Sequence, residues 1–155
     1  FYGDGKIDDA LTEAVKAAKE TITAVVFAVN ANLNFEDGPV MDFLVELGAA
    51  HMRGVEVKVV LERSNFDDIL NGLNQEAAAV LEEKGVTVRF EEEDRITHAK
   101  VLVADDEVVV ATGNWTYRGF VQNHDVAVRT SDSDTVEYLK TYLQDLWDSS
   151  EDFEP

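Results

Sequence analysis

The sequence predicts an α/β domain: a mixed β-sheet flanked by helices on both faces. Three patterns carry that expectation. The apolar run 24–29 has no polar side to turn toward water, which is the mark of a strand covered on each face, and 55–61 reads as a second buried strand. Segments with helical spacing of apolar residues lie before, between and after them, so the order implies a parallel strand pair joined by a right-handed crossover. Two aliphatic runs, 101–104 and 108–111, meet at Asp105-Asp106 and read as an antiparallel hairpin, which makes the sheet mixed.

Taken in order, 8–19 reads as a helix with Ile7, Leu11, Ala14, Ala18 and Ile22 on its inner stripe. Asp8 and Asp9 at its start and Lys16 and Lys19 at its end complement the helix dipole. Segment 23–30 follows as a strand and 30–37 as a polar connection. Gly38-Pro39 opens a second helix, because proline's fixed φ and missing N–H suit a first helical position. Its inward residues are Val40, Phe43, Leu44, Leu47 and His51 or Met52, and Gly54 closes it. After the buried strand 55–61, the stretch 65–73 favours no one state, 75–84 is helical up to Gly85, and 86–90 is a short strand. The charge run 91–94 reads as a solvated loop. Beyond the hairpin, 126–129 forms another strand and 131–147 a closing helix, with Leu139, Tyr142, Leu143 and Leu146 inward. The whole is one domain over 1–148, with 149–155 an acidic, frayed tail.

Composition narrows the function classes. With 45% hydrophobic and 29% charged residues the 155-residue chain can bury a substantial core. The lack of cysteine removes disulfides and thiolate metal sites. No apolar run reaches transmembrane length, and the first residues do not form a signal peptide. A start without methionine fits an excised domain or mature fragment. The formal net charge of −19 repels polyanions at low salt, unless the protein works in concentrated salt, where such repulsion is screened within a few ångströms. The three histidines show no His-x-x-x-His spacing, and no Asp-x-Asp-x-Asp-Gly run occurs, so no metal is expected.

The chemistry-bearing residues concentrate in 96–128. Strand alternation places His98 and Lys100 on one face, and a turn centred on Asp105 and Asp106 brings Thr112, Gly113 and Asn114 back opposite 97–99. An imidazole, a fixed cation and a carboxamide then converge at the open end of a sheet. His98, Lys100 and Asp105 with their spacing, followed by Thr112-Gly113-Asn114-Trp115-Thr116, resemble the signature of the phospholipase D superfamily. Thr112 stands where that family more often has serine, Asn114 comes one residue early, and Asp125 falls where a glutamate usually braces the histidine.

The resemblance covers 7–147, with specific motifs only in the second half, and implies a metal-free, cofactor-free phosphodiesterase acting through a phosphohistidine. Carried over residue by residue, His98 is nucleophile or acid, and Lys100 and Asn114 bind phosphoryl oxygens. Asp125 would orient His98 by accepting its other ring N–H. Thr112, Trp115 and Arg118 are candidate substrate contacts, while Asp105, pointing away by alternation, is a structural turn residue. His124 and His51 read as surface or packing histidines. The chemistry needs two histidine motifs and the chain has one, so the partner is a second copy in a homodimer or a second motif-bearing lobe. A phosphodiester is the expected substrate. A nuclease is the favoured reading, with a phospholipase or phosphatidyl transferase, wanting an apolar lip from Trp115, Tyr117 and Phe120, as one alternative and an inactive lobe for dimerisation or partner binding as the other.

Overall fold

The computed structural model describes residues 1–31, 38–91 and 95–153. Seven strands form one sheet in the order β6-β5-β4-β1-β2-β3-β7. Strands β1 (Thr21–Val26), β2 (Glu56–Leu61) and β3 (Thr87–Phe90) run parallel, and β4 (Lys100–Ala104) turns antiparallel against β1. Beyond it, β5 (Glu107–Ala111) and β6 (Ala127–Thr130) continue the antiparallel half, and β7 (Glu151–Asp152) closes the far edge. Helices cover both faces, as the sequence predicts.

Strand alternation decides which helix covers what. Ile22, Ala24, Val26, Val57, Val59, Leu61, Leu102 and Ala104 share one core with α1 (Ile7–Ala17), α2 (Pro39–Met52) and α3 (Asp68–Glu83). Val25, Val60, Val101, Val103 and Val108 face the other way, onto Val136, Leu143 and Trp147 of α4 (Ser133–Ser149). A strand buried on both faces needs apolar side chains at odd and even positions alike, so its sequence reads as a continuous run. The hairpin turns where expected, with Ala104 paired to Glu107.

Four local expectations are corrected. Most of the stretch 65–73 belongs to α3, which begins at Asp68: the Asp67 carboxylate accepts the Leu70 N–H at 2.9 Å, and this cap starts the helix well ahead of residue 75. His51 and Met52 point outward rather than into the core, which takes Ala50 instead. Glu91 is buried rather than solvated, and 92–94 lie outside the described residues, as does 32–37 of the polar connection. The acidic tail is ordered through residue 153. Arg89 Nε donates to Asp152 at 2.7 Å, Arg63 donates to Glu151 at 3.0 Å, and Phe153 packs 5.9 Å from Phe90, so two cations and an aromatic hold it to the sheet edge.

Candidate functional site

The carboxyl ends of β1 and β2 and the entrance to β4 lie on one edge of the sheet, since Val26 pairs with both Leu61 and Lys100. The carboxyl ends of parallel strands are where such sheets leave a crevice. Lys100 shares the face of Leu102 and Ala104; its stem is buried and only 6% of the residue is exposed. Its ammonium donates to the His98 carbonyl at 2.8 Å and lies 3.1 and 3.2 Å from the two nitrogens of the His98 ring. A neutral imidazole has one bare nitrogen and one N–H, so the ammonium donates to only one of the two, whichever lacks the ring proton. The imidazole is exposed on one side and packs on the other against Phe27, with ring centres 4.7 Å apart.

Both groups are electrostatically perturbed, His98 in the direction that attack requires. Desolvation, and then the Lys100 charge, lower the His98 pKa, which favours the neutral imidazole that attack requires. Burial lowers the Lys100 pKa, while the Asp125 carboxylate pulls it back up.

The loop after β5 carries the other groups. Thr112 Oγ1 donates to Asp125 Oδ1 at 2.6 Å and accepts the Val126 N–H at 3.0 Å. Asp125 Oδ2 and Asn114 Oδ1 are buried with no hydrogen-bond partner. Buried polar atoms are seldom left unpaired without a reason, and here two sit in the motif that the sequence singles out. Two glycines permit this crowding. A Cβ on Gly113 would lie 3.0 Å from Asp125 Oδ2, and one on Gly119 would lie 2.2 Å from the Asn114 carbonyl oxygen. Thr116 Oγ1 accepts the Gly119 N–H at 3.1 Å and fixes the return of this loop into a π-helical turn, Arg118–Gln122.

The predicted residues thus divide. His98, Lys100, Asp125 and Thr112 form a chain of direct or electrostatic contacts, and Asn114 presents its buried oxygen in the same loop. The Asp125 carboxylate bonds Thr112, and among the described residues no hydrogen bond joins it to His98, so the expected bracing contact is not made. Trp115 is no substrate contact: it is 1% exposed, edge-on to Phe43 at 4.8 Å, and its backbone N–H bonds Ala28. Phe120 is also wholly buried, so of the expected apolar lip only Tyr117 faces solvent. Exposed apolar surface near His98 comes instead from Phe66 and Ile96. Phe66 and Ile96 join Phe27, Leu70 and His98 around a cavity of about 150 Å³. Arg118 is exposed on the π turn.

Asp105 takes a left-handed φ of 49°, and its carboxylate accepts the N–H groups of Lys19, Glu20 and Thr21 at 2.7, 3.0 and 2.9 Å. It ties the hairpin turn to the start of β1, far from the imidazole's end of the sheet. His124 pairs with Asp4 at 2.8 Å on the surface, and that carboxylate raises its pKa. Among the described residues no cluster of three metal-ligating side chains occurs. Sequence reasoning missed Phe27, Glu62 and Asn74. The Asn74 signal was present: it occupies an inward position between Leu70 and Ala77, a polar residue on an apolar stripe.

Residues 11–147 match the family described as cardiolipin synthase, PLD-like domain. The human mitochondrial cardiolipin hydrolase is 26% identical over 146 residues, covering 94% of this chain and 51% of that protein. A cardiolipin synthase of Staphylococcus aureus (strain Mu50) is 31% identical over 115 residues, covering 73% of this chain and 23% of the synthase. The chain therefore spans about half the length of the first relative and under a quarter of the second. Among solved structures, Nuc, a phospholipase D family member from Salmonella typhimurium, superposes with a TM-score of 0.77 at 24% identity, over 94% of this chain and 89% of that one. This likeness shows the shared fold.

Proposed function

Because the chain belongs to the phospholipase D superfamily, we propose that it is a phosphodiesterase in which His98 forms a phosphohistidine, with nucleic acid as the favoured substrate. The observation that carries the reading is the imidazole of His98 held against the buried ammonium of Lys100 at 3.1 Å. A ring nitrogen of His98 attacks phosphorus, the bond from phosphorus to the leaving oxygen breaks, and a second imidazole protonates that oxygen. The same second imidazole then takes a proton from water, whose oxygen displaces the His98 nitrogen from phosphorus. Lys100 and the Asn114 amide stabilise the phosphoryl oxygens as charge develops. Thr112 and Arg118 are further contacts for the substrate phosphate.

The second imidazole comes from a second copy of the chain or from a second motif-bearing lobe. The His98 ring faces solvent, where an incoming imidazole can approach it, and this supports the reading. Nucleic acid is favoured because small single-motif proteins resembling this chain tend to be nucleases, and screening by salt offsets the −19 charge. One observation favours a lipid phosphodiester instead: Phe66 and Ile96 expose 76% and 52% of their surface at the His98 cavity. The cardiolipin-directed names of the relatives accord with that reading.

DNA, RNA and a fluorescent phospholipid, each assayed with a chelator in low and molar salt beside His98→Ala, separate these readings. Cleavage of DNA or RNA that survives chelation and disappears in the variant is the expected result. Activity lost to the chelator, or retained in His98→Ala, overturns the mechanism, and cleavage of phospholipid alone replaces the substrate.

A further inference from the structure

We infer that Glu62 and Asn74 form a buried polar relay that positions the His98 imidazole. Glu62 follows the last residue of β2 and is only 3% exposed, yet it bears a carboxylate with no cation bonded to it among the described residues. One of its oxygens accepts the Thr97 N–H at 2.7 Å, so the carboxylate grips the backbone one residue before His98. A strand ladder could have supplied that acceptor, but β4 begins only at Lys100, and the approach 97–99 depends on side chains for its bonds.

Asn74 fixes the other end of the grip. It lies on α3 with no exposed surface, and its amide nitrogen donates to the carbonyls of Glu62 and Phe27, each at 2.9 Å. Its amide oxygen accepts the Val29 N–H at 2.9 Å. One side chain therefore ties the ends of two strands together and sets Phe27, whose ring packs against the imidazole with centres 4.7 Å apart and planes tilted by 56°. His98 is held twice over, through Thr97 from Glu62 and through the Phe27 ring, and both supports meet at Asn74. A buried network whose members are bonded to one another fixes a unique geometry, and misplacing a reacting group by an ångström is costly to rate.

The inference rests on His98 being the nucleophile, and its test has one readout that depends on turnover and two that do not. Glu62→Gln keeps an oxygen that can accept the Thr97 N–H, whereas Glu62→Leu does not; Asn74→Asp removes the amide donors with little change of shape. On bis(4-nitrophenyl) phosphate, Glu62→Leu should lower kcat by about 30-fold or more with KM changed less than about threefold, and Glu62→Gln should stay within about threefold of the parent. In the same folded proteins, Glu62→Leu should speed hydrogen exchange at the Thr97 amide and shift or broaden the His98 ring resonances, and Glu62→Gln should restore both. Asn74→Asp should disturb the His98 ring resonances as Glu62→Leu does. An unchanged imidazole spectrum in Glu62→Leu and Asn74→Asp overturns the relay even if the parent shows no turnover. A Gln variant as impaired as the Leu variant overturns it as well.

Discussion

Glu91 shows at the scale of one residue how far a tertiary environment departs from a sequence pattern. It opens a run of four acidic residues, yet its carboxylate is buried with Oε2 unpartnered. Burial first, then the like charge of Glu62, push its pKa up to about 7, and Arg95 only partly opposes them. The native state thus holds a proton on this group between about 4.5 and 7, where the unfolded chain has released it. Stability from this site is therefore greatest below that window and falls as pH rises through 7, by a penalty on the order of 3 kcal/mol. Glu91→Gln should flatten the pH dependence across the window and unfold at higher denaturant than the parent well above pH 7. Parallel curves for the two proteins would contradict the account. Lys100 and Asp105 were legible in the sequence because strand alternation and turn position are local rules, and His98, which precedes β4, through its two-residue spacing from Lys100. Glu62 was not, since an acid after an apolar run reads as a strand end, and only the fold brings Thr97 to it.

At the scale of elements, what was legible followed from burial. Strand β1 announces itself through the continuous apolar run that starts at Ala24, because both its faces are covered, and the hairpin because its turn is acidic. The π turn and β7 were not, because one is made by Thr116 and Gly119 closing a loop and the other by pairing with β3 some sixty residues away. The same loop yields a sharp prediction. A Cβ at residue 119 would stand 2.2 Å from the Asn114 oxygen and 3.1 Å from its nitrogen, both backbone atoms that cannot swing aside. Gly119→Ala should displace the Asn114 segment, costing about 1–3 kcal/mol of stability and a larger share of activity. Equilibrium unfolding together with kcat on the same sample checks this. Wild-type turnover in the variant would show that the close approach has no bearing on the site.

For the whole molecule the question is whether one lobe suffices. The His98 ring faces solvent, the single motif supplies one imidazole, and two buried oxygens of the motif lack donors. If two copies complete the site across a two-fold axis, every active dimer needs both His98 side chains, and a dimer with one His98→Ala subunit has no complete site. Refolding parent and variant subunits together at a parent fraction f then gives activity per subunit proportional to f squared, so an equal mixture retains about one quarter of the parent rate. Independent monomers give one half instead. The −19 charge bears on the same measurement, because like-charged copies associate against a repulsion that weakens as the Debye length shrinks from about 10 Å at 0.1 M to about 3 Å at 1 M salt. The quadratic law should therefore hold at molar salt down to lower protein concentration than at 0.1 M. A linear law at both salts would mean that a single copy carries the reaction by itself.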